Sequence, residues 1–205
     1  MKKRMTALLL SACMCAGLAG CGTNTPGNNP GHTKTDSSVT SLTDNITVTS
    51  VKTDITSFDQ LKNGINEFSM NMYSALPADE NIFYSPYSIA SALSMLDVGA
   101  GGTTKNELEN ALGITDLDKW NDEMKAYLSK DWSQNTFVNT ANSVWMNKGT
   151  TWAANINSDF LTPAKDYYSG EIYEADFDGQ ADKVVQNVNN WVSDNTNKMI
   201  PEILK

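Results

Sequence analysis

Residues 81–113 read NIFYSPYSIASALSMLDVGAGGTTKNELENALG, and the reading of this stretch decides the fold. Ser85 is placed to N-cap a helix with Pro86 at its first position, where a missing N–H costs nothing. Ile89, Leu93 and Leu96 then recur at three- and four-residue spacing, and Ala90 and Ala92 permit close backbone approach. Gly99, Gly101 and Gly102 end that helix. Thr104 and Glu107 form a capping box for the next one, which carries Leu108, Ala111 and Leu112 and stops at Gly113. The pattern predicts a buried helical hairpin, a unit that many unrelated proteins contain.

Outward from this hairpin, the chain from Ser57 onward has the pattern of a globular domain. Ser57 and Gln60 suit a capping box, with Phe58, Leu61, Ile65, Phe68 and Met72 along one helix face. Pro77 closes that helix, and 81–84 is expected as a short buried strand. Residues 117–128 form a weaker helix. Residues 137–146, rich in Val, Thr and aromatics, are the best strand candidate, followed by a turn at Asn147-Lys148-Gly149. In 156–168 a helix is interrupted by Pro163, which favours a start at Thr162 with the proline at its first position over a kinked helix. Residues 171–177 alternate as a strand, with Tyr173, Ala175 and Phe177 on one side. Val184, Val185, Val188, Trp191 and Val192 line a last helix. Six helices against three well-separated strands leave the strands without obvious partners, and the domain reads as incomplete.

The amino-terminal end has a different character. Lys2, Lys3 and Arg4 precede an apolar, small-residue core too short to span a bilayer, which reads as an export signal over 1–20. Leu18-Ala19-Gly20-Cys21 resembles the lipobox of bacterial lipoproteins, in which the cysteine receives a diacylglycerol after cleavage. Acyl chains at about 0.8 kcal/mol per buried methylene then hold the protein on the outer face of a bacterial membrane. Removing 1–20 takes away three basic and no acidic residues, moving the net charge from −9 to −12. That balance excludes nucleic acid as a partner and adhesion to an anionic surface by charge. Cys13 and Cys15 leave with the signal and Cys21 is lipidated, so no disulfide, zinc-thiolate cluster or cysteine nucleophile remains. Residues 22–50 contain 21 Gly, Pro, Asn, Ser or Thr among 29. The segment 21–55 therefore reads as a flexible tether, with a typical span of about 30 Å.

The string Asn81-Ile82-Phe83-Tyr84-Ser85-Pro86-Tyr87-Ser88-Ile89 closely resembles the serpin family. Two further stretches agree in order and spacing. Ala141-Asn142-Ser143-Val144-Trp145-Met146-Asn147-Lys148 resembles the second strand of the serpin main sheet. Tyr167-Tyr168, Glu171, Asp176-Phe177, Val188-Asn189-Asn190-Trp191-Val192 and Thr196-Asn197-Lys198-Met199-Ile200-Pro201 resemble the path through strand one and the sixth helix. The resemblance implies an α+β, serpin-like fold for 56–205, with helices A–F and the first strands of the main sheet, as an incomplete domain. It places Ser85 and Ser88 at the family's shutter, where the sheet parts, and Asn142 beside them. Departures are Tyr84 in place of phenylalanine, Asp97 at a normally small or apolar position, and Pro163 in the fifth helix. An Asp97 that is buried needs a partner.

Serpins are suicide inhibitors: a protease cleaves an exposed loop, which inserts into the main sheet as a new strand. The resemblance puts that reactive loop after the part matched here, so these residues alone are expected to inhibit nothing. The partner implied for a complete protein is a serine or cysteine protease, and no cofactor or metal is implied. A non-inhibitory serpin is the nearest alternative.

Other classes fare worse. The single histidine, His32, lies in the tether, so no Ser-His or Cys-His pair and no histidine metal site can assemble in the domain. Glu171, Glu174, Asp176 and Asp178 cluster, but Glu174 and Asp176 alternate with apolar residues as a solvent-facing strand edge would. The chain is accordingly read as a non-enzyme. A carbohydrate- or solute-binding surface lipoprotein would use Trp120, Trp132, Trp145, Trp152 or Trp191 for stacking. Trp145 and Trp191 fall on predicted core faces.

Overall fold

The computed structural model describes residues 9–11, 37–77, 79–131, 138–151 and 153–205. Cys21, His32, Trp132, Phe137 and Trp152 lie outside them. Six helices are present among the described residues: α1 (Asp59–Ala75), α2 (Pro86–Asp97), α3 (Gly102–Leu112), α4 (Leu117–Leu128), α5 (Ser158–Tyr168) and α6 (Ala181–Asn195). Four strands accompany them: β1 (Leu9–Ser11), β2 (Val39–Ser41), β3 (Asn142–Asn147) and β4 (Glu171–Ala175), in the sheet order β1-β3-β4-β2.

The expected strands at 137–146 and 171–177 are thus found as β3 and β4, and they are each other's partners. They run parallel, with Val144 opposite Ile172 and Trp145 opposite Tyr173. A parallel pair needs a crossover, and α5 supplies it. β1, within the segment read as an export signal, pairs antiparallel with β3, and β2 pairs antiparallel with β4.

Strand alternation sends side chains to two different cores. Met146 and Ile172 face α1 to α5, among Leu61, Met95, Leu112, Trp120, Met124 and Tyr168. Trp145, Tyr173 and Ala175 face the other way, against Val184, Val188, Trp191 and Val192 of α6. Trp145 and Tyr173 stack with ring centroids 4.3 Å apart. The result is three layers: a helical layer, the sheet, and α6. Within the helical layer α1 approaches α3 and α4 closely through Gly64, where an added Cβ would lie 2.5 Å from the Leu112 carbonyl oxygen and 2.7 Å from the Trp120 ring.

Several local expectations are corrected. Residues 81–84 pair with no strand among the described residues, and Phe83 is 78% exposed. A strand needs a neighbour to satisfy its backbone groups. The Ser57–Gln60 capping box does not form. Gln60 donates instead to the Asp116 carbonyl at 2.8 Å, and the buried Glu123 of α4 accepts the Leu61 N–H at 2.8 Å, a cap supplied by another helix. Nor does the Thr104–Glu107 box cap α3, which begins after Gly101 with no side-chain cap. α5 does not wait for Pro163. Asn157 caps it by accepting the Asp159 N–H at 3.0 Å, and Pro163 sits inside the helix. A cap worth about 1 kcal/mol does not by itself offset an interior proline at about 3 kcal/mol, and burial of Ala164 and Tyr168 in the core supplies the rest.

The tether expectation for 21–55 fails over its second half. Ser38, Val39 and Thr43 are 1%, 4% and 0% exposed, and β2 extends the sheet. Composition marked this segment as unable to build a core, yet it needs only to join one.

Candidate functional site

Ser85 does cap α2: its Oγ accepts the Ser88 N–H at 3.2 Å, and the Ser88 hydroxyl lies 2.9 Å from the same oxygen. Pro86 occupies the first helical position. Beyond this cap the serines continue at every third residue, Ser91 and Ser94 being fully buried. Three-residue spacing keeps them on one slowly winding ridge of the helix.

Each buried serine holds a partner from another element. Ser91 Oγ accepts from Asn142 Nδ2 of β3 at 3.0 Å. Ser94 Oγ accepts from Trp120 Nε1 of α4 at 3.0 Å. Asn142, 3% exposed, also lies 3.5 Å from the Tyr168 carbonyl oxygen at the end of α5. The Tyr168 hydroxyl bonds Asn121 of α4, and burial pushes its pKa up. A seam of hydroxyls and amides therefore runs beneath the parallel pair, between α2 and β3.

Of the three residues expected at the shutter, Ser85 and Ser88 come together and Asn142 does not join them. Asn142 bonds Ser91, about one turn further along α2. Ser91 and Ser94 escaped the sequence reading, although the signal was present in the repeat Ser85, Ser88, Ser91, Ser94. The seam has neither a nucleophile–base pair nor a metal-ligand set. Its bonds are neutral, each worth about 1 kcal/mol net.

Asp97 ends α2 and is fully buried. Its Oδ2 lies 3.5 Å from Lys105 Nζ, and Oδ1 has no hydrogen-bond partner among the described residues. Burial pushes its pKa up despite the attraction of Lys105. The partner this residue was expected to need is present but supplies only half of the carboxylate.

The acidic cluster is structural in its geometry. Glu171 accepts from Tyr173 Oη at 2.5 Å and Trp191 Nε1 at 2.7 Å, Asp176 accepts the Gly179 N–H at 2.7 Å, and Asp178 accepts from Asn147 at 2.8 Å. Trp120, Trp145 and Trp191 are all core residues, at most 8% exposed. A cavity of about 60 Å³ between Tyr87, Tyr127 and Ser169 has room for a few waters and not for a sugar.

A helical layer, a parallel pair seamed to it by serine and asparagine, and a helix closing the opposite face define the class of protein to which the comparisons point. The family model described as Serpin (serine protease inhibitor) matches residues 63–205. A serpin-like protein of Thermococcus kodakarensis is 31% identical over 162 residues, covering 73% of this chain and 37% of that protein. Neuroserpin of Gallus gallus is 35% identical over 150 residues, covering 68% and 35%. Among solved structures, a loop C-sheet serpin polymer superposes with a TM-score of 0.63 at 30% identity, over 79% of this chain and 42% of that one. The thermophilic serpin tengpin in its latent state gives 0.57 at 28% identity, over 77% and 41%. The chain belongs to the serpin family. It spans little more than a third of the length of these curated relatives.

Proposed function

We propose that this chain is the amino-terminal part of a serpin that inhibits a serine or cysteine protease by cleavage and insertion of a reactive loop. The observation that carries the reading is the Asn142–Ser91 bond. It ties the strand at the sheet's parting line to the helix beneath through neutral polar groups, which separate at low cost when a strand enters. Met70, Tyr73 and Phe83 are exposed at 65%, 60% and 78%, apolar side chains that a larger domain would cover. The reactive loop belongs to the remaining length of the relatives, so residues 1–205 alone are inactive.

Anchoring at the bacterial cell surface through lipid on Cys21 is part of the same proposal. It is supported by the leader pattern and by the lipobox-like Leu18-Ala19-Gly20-Cys21. No helix among the described residues is long and apolar enough to cross a membrane.

The test is to mix the complete product of the gene with a panel of serine and cysteine proteases. An adduct resistant to SDS is expected with at least one protease. Simple cleavage by every protease, with no adduct, makes the protein a non-inhibitory serpin. An adduct formed by residues 1–205 alone would overturn the assignment of the loop.

A further inference from the structure

Residues 38–52 hold the body of the protein at two places, through 38–43 and through Thr49 and Lys52, with 44, 45, 47 and 48 exposed between them. The Asp176 N–H donates to the Ser38 carbonyl at 2.9 Å and the Leu42 N–H to the Ile172 carbonyl at 2.8 Å, bracketing the β2–β4 ladder. Thr43, with no exposure, accepts the Ile172 N–H on its hydroxyl at 3.2 Å. Both backbone groups of Ile172 are thereby satisfied from this segment. Asn187 of α6 reaches the Ser38 hydroxyl at 3.3 Å.

The second half crosses to α4 and α5. Asp166 of α5 accepts from the Thr49 N–H at 2.6 Å and the Thr49 hydroxyl at 2.9 Å. Lys125 of α4 completes the cluster, 2.8 Å from Asp166, with both side chains at least nine-tenths buried. Lys52 pairs with Asp122 at 2.6 Å. A loose tether would have no reason to bury Ser38, Thr43 and a threonine-bridged ion pair, because each buried polar group is costly unless bonded.

We infer that residues 38–52 are a fixed strap of the domain, which closes the outer edge of β4 against strand addition and makes whatever precedes residue 37 leave beside β4 and α6. An open β edge is a template for another chain, and β2 occupies that of β4, leaving on this side only its own three-residue edge. The strap holds independently of the lipid on Cys21.

Amide hydrogen exchange on the full chain tests the strap. The Leu42, Thr49 and Asp176 amides are expected to exchange about 100-fold slower than coil, as for amides freed only by opening of the strap. Thr43→Val, which keeps the shape and removes the acceptor, should speed exchange across 38–52 by about tenfold and leave α2 unchanged. Asp166→Asn should do the same from the other end. Where Asp166→Asn fails to fold, the wild-type pattern and Thr43→Val carry the test. Exchange of 38–52 at coil rates in the wild type overturns the inference, as does a protected segment indifferent to Thr43→Val.

Discussion

The side-chain amide of Asn142 donates to the Ser91 hydroxyl at 3.0 Å, joining the first residue of β3 to the middle of α2 inside the core. Ser91→Ala strands that amide with only the long contact to the Tyr168 carbonyl, and Asn142→Ala strands the serine. Each is expected to lower stability by about 1–3 kcal/mol, the cost of leaving a buried polar group unmade. The double variant should lose less than the sum, with a coupling of about 1 kcal/mol in a denaturant-based cycle. Strict additivity would mean that the bond carries no energy.

Asp97 sets one direction of pH dependence. Burial raises its folded pKa, with Lys105 opposing and Glu109 adding to the rise. The folded state therefore holds this proton more tightly than the unfolded chain. The stability it contributes is full below the unfolded pKa and is lost as pH rises through the folded one. Asp97→Asn should remove this loss and raise the melting temperature at neutral pH. A melting profile from pH 4 to 8 identical in variant and wild type would contradict it.

Asp166 works in the opposite sense. Burial alone would raise its pKa, but hydrogen bonds from Lys125 and from the backbone and side chain of Thr49 hold it below the usual carboxylate range. Its contribution is present above the unfolded pKa and is lost as pH falls through the folded one. Acid should therefore free the Thr49 end of the strap. Exchange at the Thr49 amide, corrected for intrinsic rate, is expected to accelerate below about pH 4 and to lose this dependence in Asp166→Asn.

Gly64→Ala places a methyl against the Leu112 carbonyl and the Trp120 ring. Helix propensity favours alanine by up to about 1 kcal/mol, but overpacking against backbone costs about 1–3 kcal/mol and wins. A lower denaturation midpoint with unchanged slope is the expected result; a higher midpoint would show that α1 can move away.

Cleavage after Gly20 would take β1 away from β3 and open that edge of the sheet. A chain beginning at Cys21→Ser is therefore expected to self-associate in sedimentation, through an unpaired strand. A monomer with a sharp melting transition would refute this.

Much of the fold was legible in advance. Periodicity marked all six helices, because burying one face at 3.6-residue spacing leaves a trace in any helix sequence. The alternation of Tyr173, Ala175 and Phe177 foretold the face turned to α6. The Ser85 cap and Pro86 start were also readable, since a cap is chemistry within three residues. The start of α1 went unread because its partner comes from elsewhere. Glu123 reaches the first turn of α1 from 62 residues away, and no local rule anticipates it.

By itself, the sequence determined the positions of the six helices, the Ser85–Pro86 start of α2 and the family, since all three are written in short-range spacing. Tertiary structure alone decided that β3 and β4 pair with each other, that Asn142 meets Ser91 rather than Ser88, and that a polar segment rich in threonine and serine becomes a strap. The physical reason is common to these cases. A backbone hydrogen bond or a buried hydroxyl is indifferent to how far along the chain its partner lies, so only the packed molecule reveals which partner it takes.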